Sequence, residues 1–253
     1  MTLSPFLIAK YEVTEAQWTR IMGKNPSHLK GEDHPVESVT WFDCQAFSAA
    51  SGLALPSEAQ WEYACRAGTS ERYGGTGKLE DMGWSASKDA PAHQPVGRKK
   101  ANGFGLHDMH GNVSEWVEDI KDKVFYSRPE AAGPDPVCKM RPADQLLPGE
   151  VDGGEAPCVA RGGGTHHALF CRSAVRTAYY PSDGSADLGL RPVFNLRQDA
   201  PHAASVTDRR RPRLHFPRHP CSVHSAGSNP GAGAHSGKGS AGGGPPRNRW
   251  LRR

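Results

Sequence analysis

Asp108 and Glu115 fall within the stretch Gly105-Leu106-His107-Asp108-Met109-His110-Gly111-Asn112-Val113-Ser114-Glu115-Trp116. Two carboxylates on one tight turn, with main-chain carbonyls between them, offer the oxygen set that a hard cation such as calcium takes. The same residues also read as a turn cap at Asp108 and an ion pair from Glu115 to an arginine. A second chemical stretch runs Gly162-Gly163-Gly164-Thr165-His166-His167-Ala168-Leu169-Phe170-Cys171. Its thiol and imidazoles are ligands for copper or iron. Adjacent residues on a strand point to opposite faces, so only one of His166 and His167 can reach a given metal, and His93, His107 or His110 must complete the set. Loop histidines at a solvated groove are the ordinary alternative. Arg172, Arg176 and Arg191 offer either a groove for an anionic or peptide ligand or ion pairs with the carboxylates of the first half.

The six cysteines, Cys44, Cys65, Cys138, Cys158, Cys171 and Cys221, lie far apart and include no C-x-x-C pair. Neither a zinc site nor a dense disulfide framework is signalled. Cys138 and Cys158 bracket a Pro-, Gly- and Asp-rich loop; unpaired thiols are the ordinary reading, and a bridge between these two in an oxidising compartment is the alternative. The formal charge of +4 divides unevenly: from residue 199 onward there are ten Lys/Arg and two Asp/Glu, and before it 21 Lys/Arg and 25 Asp/Glu. The basic character therefore belongs to the tail, where Arg209 to Arg211 offer nonspecific contact with acidic surfaces, and no specific nucleic-acid partner is expected. No run approaches the roughly 18 apolar residues of a membrane span, and the N-terminus lacks a basic start followed by an apolar stretch. A soluble, cytoplasmic protein with no membrane partner is the expectation.

The elements that must position these residues are short. Thr14-Glu15-Ala16-Gln17 is a capping box ahead of a helix through Met22, closed by Gly23, with Trp18 and Ile21 facing inward. A second helix is expected from Trp41 to about Ala50, with Trp41, Cys44 and Phe47 on its apolar side and Gly52 at its end. Ser57-Glu58-Ala59-Gln60 is another capping box; Trp61, Ala64 and Cys65 form the buried stripe, and Gly68 is the C-terminal cap. Turn residues dominate from there to residue 100. Residues 102–116 read as a turn, a short strand, a tight loop and a further strand, and Cys171 to Arg176 as strand. The fold should close near Leu188-Gly189-Leu190-Arg191-Pro192-Val193-Phe194-Asn195-Leu196-Arg197. The expected organisation is one domain over 1–198 and a disordered basic tail rich in Gly, Pro, Ser and Arg over 199–253.

Several of these segments together resemble the formylglycine-generating-enzyme, or sulfatase-modifying-factor, family. They are Tyr11-Glu12-Val13-Thr14-Glu15-Ala16-Gln17-Trp18, the Gly23 to Pro26 stretch, Pro35 to Trp41, Leu55 to Ala64, Gly105 to Trp116, Arg161-Gly162-Gly163, Cys171-Arg172-Ser173-Ala174 and Leu188-Gly189-Leu190-Arg191. They stand in the family's order over residues 6 to about 197. The resemblance implies an α+β, C-type-lectin-like fold with short helices, short strands and much irregular loop. The family's glycine-rich strand ahead of Pro5 to Lys10 has no counterpart here, which would leave part of a sheet edge open, and the stretch from Phe47 to Leu53 is shorter than usual.

The resemblance also implies a structural calcium position, with Asp108 and Glu115 giving side-chain oxygens and Gly111 and Val113 main-chain carbonyls. In the family's namesake enzymes two cysteines after the Gly-Gly motif bind Cu(I), and oxygen converts a sulfatase cysteine to formylglycine. Here His167 stands where the first cysteine would fall, and Cys171 matches a downstream C-R-S-A segment with no catalytic role in many members. Copper is therefore not expected, and His167 and Cys171 are the weak catalytic candidates. The iron-binding helical domain of the ergothioneine branch is also missing. The resemblance thus implies a family member related to these oxidases but without their activity, or else a noncatalytic module for a protein or peptide ligand, as in retroelement-type variable proteins. Fold alone does not choose between them.

Overall fold

The computed structural model describes residues 1–85, 93–139, 158–164, 167–196 and 250–251. Three helices carry the front half, each started by a reciprocal cap: α1 (Glu15–Met22), α2 (Trp41–Ser51) and α3 (Glu58–Arg66). In each, the hydroxyl of Thr14, Thr40 or Ser57 accepts the N–H three residues on, and the side chain there, Gln17, Asp43 or Gln60, accepts the cap's own N–H. Four orphan N–H groups at a helix start are thereby reduced without tertiary help. Gly23 and Gly52 end α1 and α2 in the left-handed conformation, as expected. Two expectations are corrected here. Ala67, not Gly68, is the left-handed cap of α3. Ile21 lies exposed, because α1 turns only a narrow stripe inward, centred on Trp18. A single-turn helix, α4 (Leu79–Met82), sits in the turn-rich part.

Two sheets organise the strands. In the larger, β4 (Thr177–Tyr179), β3 (Cys158–Arg161), β2 (Ser114–Ile120) and β5 (Leu188–Leu190) lie in that order, with β2 antiparallel to β3 and parallel to β5. Successive residues of β2 face opposite sides, so Trp116 enters a core with Trp18, Val36, Phe47 and Leu188. Val117 enters a second core with Phe6, Ile8, Trp61, Leu106 and Val159. Both faces of this sheet are therefore covered, which explains why β2 has no polar alternation to mark it. The segment 102–113 contains no strand: its apolar residues Leu106, Met109 and Val113 are buried from loop positions. Cys171 closes a 3₁₀ turn (Ala168–Cys171), so the expected strand begins only at Thr177.

The smaller sheet has β1 (Phe6–Ala9) between β6 (Val193–Asn195) and β7 (Trp250–Leu251), both antiparallel to it. The edge of β1 expected to lie open is thus paired with Trp250–Leu251. The rest of the segment expected to be a disordered tail lies outside the described residues. Cys44, Cys65, Cys138, Cys158 and Cys171 are all buried and none is in a disulfide, and Cys138 and Cys158 belong to different hydrophobic clusters. Among the described residues no helix is long and apolar enough to cross a membrane.

Candidate functional site

The loop from Asp108 to Glu115 is built from unusual backbone. Asp108 (φ 59°) and Asn112 (φ 66°) are both left-handed, a conformation that short polar side chains tolerate. Gly111 has φ 101°, and a Cβ there would lie 1.5 Å from the Trp84 carbonyl oxygen, so only glycine fits. The result turns two carboxylates inward. Glu115 accepts the Trp61 indole N–H at 2.6 Å on Oε2 and meets Arg191 at 3.0 Å through Nε and 2.7 Å through Nη2. Asp108 accepts the Gly97 N–H at 2.6 Å on Oδ2 and the Trp84 indole N–H at 3.3 Å on Oδ1. Glu12, on the segment after β1, holds the loop from the other side: its oxygens accept the Val113 N–H at 3.1 Å and the Asn112 amide at 2.7 Å.

All four charged side chains are buried. Three carboxylates thus face one guanidinium, and burial together with the Asp108 and Glu115 charges pushes the Glu12 carboxyl well above its ordinary range. Burial likewise raises Asp108. Arg191 completes its fork by donating to the carbonyls of Ala9 and His107, so one side chain ties β1, this loop and the start of β2 together. Of the four residues expected to hold calcium, Asp108, Gly111, Val113 and Glu115 do lie on one buried loop. In this arrangement, though, the lone pairs of Glu115 are taken by Arg191 and Trp61, so the side chains fit the ion in charge and not in open coordination. Among the described residues no group of three or more His, Cys, Asp or Glu side chains is placed to hold a metal.

The Gly162 to Cys171 stretch separates its two candidates. Cys171 is buried; its thiol donates to the Trp84 carbonyl at 3.6 Å, and burial pushes it up to about 12. His167 sits at the exposed start of the 3₁₀ turn, where its Nδ1 accepts the Leu169 N–H at 3.3 Å. His166 lies outside the described residues. The histidines weighed as further ligands are spent elsewhere: His110 Nδ1 contacts the Cys171 carbonyl at 2.8 Å while its Nε2 accepts the Gly74 N–H at 2.8 Å. His107 Nδ1 contacts the Lys99 carbonyl at 2.8 Å, and His93 faces His34. Cys65, 3.7 Å from His110 Nε2, is raised by burial to about 12.

Arg176 and Arg191 are structural. Arg176 grips both oxygens of buried Glu58 at 2.6 Å, and Arg161, stacked 5.0 Å over the Trp61 ring, shares that carboxylate at 2.5 Å. Arg172 donates to the Leu169 carbonyl at 2.7 Å from an exposed position. Glu12, Glu58 and Arg161 were not singled out from the sequence; two carboxylates beside capping boxes and an arginine before Gly-Gly were the available signals, and none names its partner.

Residues 1–196 match the model of the sulfatase-modifying factor enzyme 1-like domain. The chain is similar to the formylglycine-generating enzyme of Mycobacterium tuberculosis, 33% identical over 209 residues that cover 72% of this chain and 64% of that protein. It is also similar to chaperone protein LppX of Paenibacillus barcinonensis, 32% identical over 189 residues, 51% of this chain and 66% of that one. Among solved structures it resembles Treponema denticola variable protein 1, with TM-score 0.63 and 26% identity over 77% of this chain and 86% of that chain. The chain spans about half to two thirds of the length of the curated relatives it matches. It belongs to the sulfatase-modifying-factor family and has that family's α+β, C-type-lectin-like fold.

Proposed function

We propose that this family member keeps the scaffold of the formylglycine-generating oxidases without their chemistry, and serves as a binding module for a protein or peptide. The observation that carries the reading is the fate of two positions. Cys171 is buried, and burial pushes its thiol up to about 12, while His167 caps a turn at the surface. A Cu(I) site of the oxidase kind takes two thiolates. The same short turn holds Leu169 and Phe170 about half exposed, at 50% and 47%. Large apolar side chains on a loop carried by a rigid scaffold suit recognition of another protein. The likeness to a variable protein supports this reading.

The test is Cu(I) titration against a competing chelator. The expected outcome is no tight stoichiometric copper; one equivalent bound, and lost in Cys171→Ser, overturns the reading.

Calcium at the Asp108–Glu115 loop is a separate proposal. In its favour stands the excess of Glu12, Asp108 and Glu115 over Arg191, and against it the filled coordination of Glu115. Were the ion bound, the Asp108 and Glu115 carboxylates with the Gly111 and Val113 carbonyls would hold it, and it would add structure rather than reactivity.

A further inference from the structure

His34 and His93 face each other with their Nδ1 atoms 3.1 Å apart and their rings edge to face at 65°. Neither belongs to the Asp108–Glu115 loop or to the Gly-Gly stretch. One proton must lie between the two nitrogens, since two bare lone pairs at that distance repel and two N–H groups clash. The other ring nitrogen of His93, Nε2, is buried and has no hydrogen-bond partner among the described residues. A proton placed there would be an unpaired buried N–H, so the tautomer is assigned with His93 donating from Nδ1 and half-buried His34 accepting.

The residues after His93 form a strap over the loop. The Gln94 N–H donates to Asn112 Oδ1 at 2.8 Å, the Val96 N–H to the Asp33 carbonyl at 2.9 Å, and the Gly97 N–H to Asp108 Oδ2 at 2.6 Å. On the other side, the Glu15 N–H donates to the His34 carbonyl at 2.9 Å, so His34 is fixed to the start of α1. The imidazole pair therefore adds a side-chain link between the helix-bearing front and the strap to the main-chain bond from Val96 to Asp33.

We propose that the His34–His93 pair is a proton-operated latch: it holds the strap 93–97 against the Asp108–Asn112 loop while both rings are neutral, and releases it when a proton enters. A proton on His34 Nδ1 sets a second N–H against the His93 N–H and turns an attraction into a repulsion. The charged groups facing the pair are Glu15 and Asp33 beside His34, and Glu37 beside His93. All three favour the charged ring, but burial outweighs them, lowering His34 and, with the added repulsion from His34, bringing His93 down to about 4. With folded values below the unfolded 6.5, the latched state is fully stabilised above that pH and loses stability as pH falls toward 4.

Native-state hydrogen exchange at the Gln94, Val96 and Gly97 amides, corrected for intrinsic rates, reads the latch directly. Below about pH 6.5 protection should fall by up to about tenfold per pH unit for each proton taken up. His34→Asn keeps a neutral acceptor where Nδ1 stood and leaves His93 as the one titrating ring of the pair, so its protection should fall less steeply with pH than in the natural sequence; His34→Leu should exchange fast at every pH. Asp108 titration can loosen Gly97 alone, since the acceptors for Gln94 and Val96 are an amide oxygen and a main-chain carbonyl. An equal pH response in His34→Asn, or none in the natural sequence, overturns the proposal. So does a wild-type protection that EDTA removes at neutral pH, which would make the pair a metal site instead.

Discussion

Arg191 lies against Glu115 with Nη2 2.7 Å from Oε1 and Nε 3.0 Å from both oxygens, and neither side chain is exposed. The pair joins β5's end to the start of β2, two elements 76 residues apart in sequence. Removing one partner leaves the other as a lone buried charge. Arg191→Met should therefore cost about 3–5 kcal/mol in urea denaturation. The double variant Arg191→Met with Glu115→Leu should recover part of that loss, because no charge is stranded. A single variant as stable as the natural sequence contradicts the pairing.

The caps give a smaller and more local effect. Ser57→Ala removes the hydroxyl acceptor for the Gln60 N–H and keeps the main-chain N–H that the Gln60 side chain accepts. About 1 kcal/mol should be lost, read as a shift in denaturation midpoint with an unchanged slope.

Asp119 should respond to pH with a sign opposite to that of the histidines. Burial raises it to about 6, against hydrogen bonds from the Glu58 and Cys138 N–H groups. Because its folded value exceeds the unfolded one, its contribution is present below about 4 and is lost as pH rises through 6. His93 and His110, both lowered by burial to about 4, lose theirs as pH falls below 6.5. In Asp119→Asn the opposing contribution is gone, so stability should fall more steeply between about pH 7 and 4 than in the natural sequence. An identical pH slope would show that Asp119 is not perturbed.

Calcium is tested by melting temperature in calcium against chelator. Binding to the folded state alone raises the midpoint with ion concentration, and Asp108→Ala should abolish any such rise. A rise that survives the substitution removes Asp108 from the site.

Legibility in the sequence depends on how local the physics is. The boxes at Thr14 and Ser57 are closed within four residues, and their helices stand where the residues place them. Leu106, Met109 and Val113 suggest strand because they are buried, yet they are buried from a loop whose shape depends on Gly111 meeting Trp84. Asp108 and Glu115 are recognisable as a charged pair on one turn. Their partners Trp61, Gly97 and Arg191, and Glu12, which accepts the Val113 N–H between them, come from four separate segments, and no spacing rule connects them. The separation of His167 from Cys171 is likewise a product of the 3₁₀ turn, for which the run Ala168-Leu169-Phe170 carries no cap or turn residue to mark it.

The central claim, an oxidase scaffold without oxidase chemistry, is tested most directly by incubating the protein with Cu(I), oxygen and a cysteine peptide from a sulfatase, and measuring aldehyde in the peptide. No aldehyde above that of the peptide incubated with copper alone is expected. Aldehyde formed in proportion to protein, and lost in Cys171→Ser, would contradict it.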